Sequence, residues 1–535
     1  MIFKKNILFF LFLIFLFHFS FAQRTSKAKA KTLTADQAKA VKKDAGSMFA
    51  AEDYKDALPA YLELIKTKPQ DVEYNYRLGV CYINSNSVKS KAIPHLEFAS
   101  KAKDAKKDIQ FYLGEAYMND NRWDDAIKAF NNYKAAGSPK VAKESLPVER
   151  LLEMCNNGRE ISAHPLSIKF DNLGKYINSP DEDYDPFISS DDKVLVYSSR
   201  RKGNMGGVME DVGNYPADVY WTAWKDTGWA KGKSAGALVN TENDEESVGI
   251  TSDGQCMFLY FDNMDYFGDI GVSMLKSKNW QKPLMMSDKI NTKSIESGGS
   301  MSNDGNTFFF ASERKEGSGG SDIWVSKREG EGEWSVAQNL GNLINTKYDE
   351  VSPFLAMDGK TLFFCSKGHN SIGGFDIFKT VYDSATGKWG KPENVGYPLN
   401  TADDELSFCI SGNGHHAYIS AVRPEGLGDK DIYRVTFNEP TVYPFTSLIS
   451  GNVIASSGPK SELRGVTLMN KSDKKVVAVY KPYFVSNHYV LAARPGNYIL
   501  RVEGYGFKPI EEEITIAESD SPADVVKDFT VTVSK

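Results

Sequence analysis

Five carboxylates stand at one repeated position in the middle of the chain: Asp183, Glu245, Glu296, Glu350 and Glu405. If the array closes, equivalent positions lie on one circle, so these acids could line a channel mouth and hold a cation. The same residues have a plainer use. Each can accept backbone N–H groups in its own turn and tie a strand to the loop before it. Recurrence in every unit is what that structural role requires. A second series, Asp218, Asp269, Asp322, Asp376 and Asp431, follows glycine-bearing bends in most units and reads as turn chemistry. The histidine pair His415-His416 lies in a turn with no further ligand nearby in sequence, short of what a metal site needs. Serine-hydrolase, zinc-protease, phosphate-loop and dinucleotide fingerprints do not occur in a fitting context. The acidic run Asp181–Asp185 lacks the glycine and terminal glutamate of a calcium loop. No catalytic residue, metal ligand or cofactor is assigned from the sequence.

The acids belong to a pattern written five times between about Ser167 and Phe437. Five residues before each acid stands a small polar pair: Asn178-Ser179, Asn240-Thr241, Asn291-Thr292, Asn345-Thr346 and Asn400-Thr401. Eight residues after it comes Asp191, Asp253, Asp304, Asp358 or Asn413. Trp229, Trp280, Trp334 and Trp389 each precede their acid by sixteen residues. Spacing shared at several landmarks marks a repeat, here with a period of roughly 50 to 60 residues. Each unit holds four short strand-like runs separated by Asn, Asp and Gly turns. The second run is apolar throughout: Val194–Tyr197, Met257–Phe261, Phe308–Ala311, Leu362–Cys365 and Ala417–Ile419. A strand without alternation is buried on both faces, as in blades packed around an axis. Residues 166–438 are therefore expected to form a five-bladed β-propeller. The first unit lacks a preceding Trp-led strand, and the last ends at Phe437 without a fourth. Leu166–Leu173 is expected to pair into the fifth blade and close the ring, removing an open edge. These units resemble the WD40-like repeats called PD40, also found in TolB-type periplasmic propellers. That resemblance implies a fold more than an activity.

Upstream, residues 36–160 carry a second repeat with helical spacing. Gly46, Gly79 and Gly114 recur, as do Ala57, Ala92 and Ala126, each followed four residues later by Tyr61, Leu96 or Phe130. Small residues where helices touch and aromatics between them resemble the tetratricopeptide repeat, an all-α solenoid. Three copies fit, with Lys140–Arg159 as a helix capping the array toward solvent. By repeat position, Tyr76, Val80, Ile83, Phe111, Glu115 and Met118 fall on the concave face. Several are apolar where solvent would favour polar groups, which points to a peptide or partner groove. With only three repeats, packing on the propeller is the alternative for some of them. Downstream, Glu439–Phe445 reads as a linker, and residues 446–535 as a separate β domain. Its opening Gly451-Asn452-Val453 and its turn Pro495-Gly496-Asn497-Tyr498 resemble the carboxypeptidase-regulatory-like sandwich.

Composition sets further bounds. With 535 residues, 41% hydrophobic and 25% charged, the chain is ordinary globular material for three or four domains. Met1–Ala22 reads as a signal peptide. Lys4-Lys5 form its charged start, Ile7–Phe19 its apolar stretch, and Ser20-Phe21-Ala22 its cleavage site. No Cys follows that site, so no lipid anchor is expected there. Export with Lys4 and Lys5 removed lowers the formal charge from −6 to about −8. No long basic run is present, so nucleic acid is not an expected partner. Cys81, Cys155, Cys256, Cys365 and Cys409 are odd in number and lie in apolar segments, which argues for buried thiols rather than a disulfide framework. The module order is similar to that of Bacteroidota envelope proteins of the PorE type, which accompany type IX secretion and gliding motility. Those proteins usually end in an OmpA-like peptidoglycan-binding domain that does not occur before Lys535, so the resemblance does not carry cell-wall anchoring. It implies a non-enzymatic periplasmic scaffold, held at the outer membrane indirectly through envelope proteins. A propeller that binds a glycan or small ligand, and a propeller hydrolase or lyase, are the alternatives.

Overall fold

The computed structural model describes residues 33–137, 146–207, 209, 214–262, 266, 268–330, 332–457, 462–519 and 522–533. The leader read from the sequence lies outside them. Among the described residues seven α helices come first: α1 Ala35–Ala50, α2 Tyr54–Thr67, α3 Val72–Ile83, α4 Ile93–Ala99, α5 Ile109–Asn119, α6 Trp123–Ala135 and α7 Val148–Ser162. The starts of the first three are written in the sequence. Thr34 and Gln37 cap α1 reciprocally, while Asp53 and Asp71 accept the Asp56 and Tyr74 amides at the starts of α2 and α3. α1 packs on α2, α3 on α4 and α5 on α6, as helix hairpins. Contact is close enough to require glycine: a Cβ on Gly79 would lie 2.5 Å from the Leu96 side chain, and one on Gly114 2.5 Å from Phe130. Among the described residues no helix is long and apolar enough to cross a membrane.

Five antiparallel sheets follow. The first joins Asp183–Ile188, Val194–Ser199, Asp218–Lys225 and Gly228–Trp229; the second Asp244–Ile250, Cys256–Asp262, Asp269–Lys276 and Asn279–Trp280. The third joins Glu296–Met301, Thr307–Ser312, Asp322–Glu329 and Glu333–Trp334; the fourth Glu350–Leu355, Thr361–Ser366, Asp376–Asp383 and Lys388–Trp389. In these four a further two-residue strand pairs with the third strand. The fifth sheet is different. Cys409–Ile410, His416–Ala421 and Asp431–Phe437 are completed by Ile168–Asn172 from the start of the array, in register Ile168 to Phe437 and Asn172 to Tyr433. First strands of the first four sheets lie against one another in succession, the fourth and fifth sheets share one apolar cluster, and the fifth sheet lies against the first. The sheets therefore form a ring, and its closing strand is the one expected from the missing last strand. The apolar second strands are buried almost throughout, which is why they carry no alternation.

The C-terminal region has two sheets. Ser447–Ser457 pairs antiparallel with His488–Ala493 and parallel with Val525–Val526 and Phe529–Thr532. The other runs in the order Val476–Tyr480, Glu462–Asn470, Gly496–Tyr505, Ile510–Ile516. Both contribute to one apolar cluster that includes Ile449, Val453, Leu468, Leu491, Leu500 and Phe529. All five cysteines are buried free thiols.

Candidate functional site

The five repeated acids are buried, and each serves its own turn. Asp183 accepts the Ser179 amide. Glu245, Glu296, Glu350 and Glu405 accept the amides of Thr241, Thr292, Thr346 and Thr401 at 2.7, 2.7, 2.6 and 3.0 Å. In the four glutamate sheets the same threonine also donates its hydroxyl. The carboxylate oxygens thus accept from the turn four residues upstream, as in the plainer of the two readings. Among the described residues no group of three or more His, Cys, Asp or Glu side chains is placed to hold a metal ion.

Charge balance differs between sheets. Arg201 pairs with Asp183, and Arg314 with Glu296 at 3.1 Å. Both guanidiniums also donate at 2.8 Å to the carbonyl of a buried isoleucine, Ile177 or Ile290. The fourth sheet has Gly368 where an arginine would stand, and His369 Nε2 takes the equivalent Ile344 carbonyl at 2.8 Å. Without a paired cation among the described residues, burial pushes Glu245 and Glu350 up to about 7. Glu405 and Asp376 are both raised by burial, and the neighbouring Asp376 charge raises Glu405 further.

The asparagine of each repeated pair does the locking. Asn240 accepts the Val219 amide and donates to the Val219 carbonyl, both at 3.0 Å. Asn291, Asn345 and Asn400 bracket Ile270, Ile323 and Ile377 in the same way. Asn178 brackets Ile432 at 2.9 and 3.0 Å, so the same lock spans the seam between the first unit and the fifth sheet. The third-strand aspartates Asp218, Asp322, Asp376 and Asp431 accept amides from the bend before them. The sequence displayed the asparagines as a spacing; their two-point bond to the backbone was the part it did not reveal.

Both ends of the ring are occupied by the chain itself. At the end where the repeated acids lie, the helices dock on the fourth, fifth and first sheets. Lys55 lies 3.2 Å from Asp429, Asn86 donates to Glu182, and Lys89 pairs with Asp403. Arg150 Nη2 donates to the carbonyls of Lys367, Gly368 and His369 at 2.8, 2.8 and 3.1 Å, and Asn157 donates to that of Ser371 at 3.0 Å. The helix expected to cap the array toward solvent is thus corrected. It forms over Val148–Ser162, and Arg150 and Asn157 seat it on the fourth sheet's loop, while residues 140–145 lie outside those described. At the other end, turns after the first strands meet the C-terminal region. Tyr480 donates to Asp253 at 2.8 Å, the Lys481 amide to the Asn303 carbonyl at 3.0 Å, and His488 lies 3.4 Å from Asp191. His416 Nδ1 lies 3.0 Å from Asp192, and the His415 ring packs on Phe445. The histidine pair is thereby divided between two different contacts.

The groove reading also needs correction. Tyr76, Val80, Ile83, Phe111 and Met118 are buried members of the helices' own apolar cluster. Tyr76 meets Tyr112 edge-on and donates to Asp108 at 2.9 Å, and Phe111 packs on Phe130 and Tyr133. Ala402, from the loop before the fifth sheet, packs on the same cluster. These positions are apolar because they pack within the helices' own cluster. Glu115 is half-buried beside Lys89, and burial pushes it up to about 7.

The tetratricopeptide repeat model matches residues 47–90 and 89–140. No curated protein matches the chain. Among solved structures, the chain is similar to exo-beta-1,3-galactanase from Phanerochaete chrysosporium, at 10% identity over 63% of this chain and 90% of that one, with a TM-score of 0.31. It is similar to alpha-L-arabinofuranosidase from Lactobacillus brevis at 10% identity over 50% and 95%, with a TM-score of 0.31. At these scores neither likeness carries an argument about activity. The chain thus consists of a helical tetratricopeptide-repeat region followed by curled sheets that resemble propeller folds and by a further β region.

Proposed function

We propose that this protein is a non-enzymatic interaction scaffold, exported to the periplasm and serving an outer-membrane-associated assembly of the type IX secretion or gliding kind. In this reading the five sheets act as the blades of a five-bladed propeller. The last two form a carboxypeptidase-regulatory-like sandwich. What supports the reading is the occupation of both ends of the ring by the chain's own flanking regions. The ring is then a rigid core that holds a helical arm and a β arm in fixed relation. The tetratricopeptide repeats suggest protein partners, since repeat arrays recognise other chains through extended surfaces. With the positions first read as a groove buried, partners would engage the remaining helical surface, the outer rim or the exposed loops.

Affinity purification from an envelope fraction tests this. The scaffold reading expects outer-membrane components to co-purify with the intact protein. Fractionation as a free monomer with no envelope partner contradicts it. Turnover of a polysaccharide or peptide by the purified protein would favour a hydrolase or lyase instead.

A further inference from the structure

The two outer strands of one C-terminal sheet are finished differently. In the order Val476–Tyr480, Glu462–Asn470, Gly496–Tyr505, Ile510–Ile516, the first and last strands pair on one side only among the described residues. An unpaired edge invites another strand, and charges placed on it discourage one. Ile510–Ile516 carries such charges. Glu511, Glu512 and Glu513 interrupt it, and each is answered within the chain: Arg501 lies 3.4 Å from Glu511, Lys527 pairs with Glu512, and Lys471 lies 2.6 Å from Glu513. Val476–Tyr480 has no charged residue. Val476 and Val477 are 60% and 46% exposed, in a valine-rich run suited to pairing. Its far end is fixed on the ring, where Tyr480 donates to Asp253 and the Lys481 amide to the Asn303 carbonyl. Positive charge flanks the strand: Lys474, Lys475 and Lys481 are exposed, against Asp473, which lies 3.3 Å from Lys475.

We propose that Val476–Tyr480 is a docking edge for an extended acidic segment of a partner protein, which adds as an antiparallel strand with apolar residues beside Val476 and Val477 and carboxylates beside the lysines. Main-chain hydrogen bonds would hold such a strand, and its side chains and end charges would select it. A second copy of this chain fits less well. Antiparallel self-pairing centred on Ala478 sets Lys475 opposite the second copy's Lys481, like charge against like. The second copy's strand Ile510–Ile516 is acidic, but its acids are already paired in their own chain. That a protein partner exists rests on the scaffold reading; the edge and the charge it selects do not.

Fluorescence anisotropy and hydrogen exchange on the full-length protein test this with a synthetic peptide of alternating valine and threonine ended by glutamates, and with its lysine-ended counterpart. The glutamate-ended peptide is expected to bind, to slow exchange of the Val476–Tyr480 amides, and to loosen as salt rises. The lysine-ended peptide should bind at least about 10-fold more weakly, opposite-charge contacts having become like ones. Lys474→Glu combined with Lys475→Glu, both at exposed positions, should reverse that preference. No slowing at Val476–Tyr480 with the glutamate-ended peptide overturns the proposal without reference to any variant. So does a preference that survives the double charge reversal. A dimer in sedimentation that Val477→Glu dissolves would give the edge to a second copy and overturn it as well. Envelope proteins that co-purify with the double variant as they do with the wild type would overturn the assignment of this edge while leaving the scaffold reading intact.

Discussion

The helical repeats and the ring of sheets are both arrays of one unit, but the sheets close on themselves and the helices do not. Closure gives every unit two like neighbours. The same asparagine then makes the same two-point bond in all five units, including the seam where Asn178 holds Ile432. In the open array a repeat position has no fixed surroundings. Position by position the glycines Gly46, Gly79 and Gly114 are equivalent, yet a Cβ on Gly79 or Gly114 would strike a neighbour at 2.5 Å, while one on Gly46 meets only Arg77 at 3.6 Å. A repeat motif predicts environment where the array is closed and only local fold where it is open.

The comparison breaks most severely if closure is removed. Deleting Ile168–Asn172 strips the fifth sheet of its outer strand and exposes the edge of Asp431–Phe437. Loss of one cooperative thermal transition for the whole ring is expected. A truncated ring that stays as protease-resistant as the intact one would show that the strand merely decorates it.

The buried acids sharpen the comparison within the ring. Glu296→Gln leaves Arg314 without its carboxylate and is expected to cost about 1–3 kcal/mol in denaturant unfolding. Glu350 has no such partner among the described residues and stays protonated up to about pH 7 when folded, against 4.5 unfolded. Because the folded form holds the extra proton, wild-type stability falls as pH rises between those values. Glu245 is raised into the same range, so Glu350→Gln should lessen that slope without abolishing it, and an unchanged slope would mean that Glu350 does not contribute.

The open array gives the smaller effects. Gly114→Ala should destabilise the helices by about 1–3 kcal/mol through overpacking against Phe130. Gly46→Ala at the same repeat position should be neutral or stabilising by up to about 1 kcal/mol, because a helix interior favours alanine where space allows. Equal losses at both sites, read from circular dichroism melts, would remove the contrast.

The same contrast explains what could be read in advance. The period of the ring, the buried second strands and the closing strand follow from local patterns that recur, and each recurrence is a repeated reading of one environment. The repeated acids showed their position but not their partners. A turn carboxylate and a metal ligand look alike until the stretch between the polar pair and the acid is folded. Thr241, Thr292, Thr346 and Thr401 then supply the amides that decide between them. Tyr76, Val80, Phe111 and Met118 were misplaced because they lie inside the helices' own apolar cluster, whose packing partners come from several helices and include Ala402, roughly three hundred residues away along the chain. Arg150 and Asn157 carried no signal, since the carbonyls of Lys367–His369 and Ser371 that they bind belong to backbone, which leaves no mark on residue type.

The most direct measurement is the free energy of unfolding for five single variants, Asn178→Ala, Asn240→Ala, Asn291→Ala, Asn345→Ala and Asn400→Ala. Each removes two buried backbone hydrogen bonds and is expected to cost about 2–4 kcal/mol. A closed ring predicts that Asn178→Ala falls with the other four, within about 1 kcal/mol. A negligible cost at Asn178 beside full costs at the other four would contradict closure at the seam.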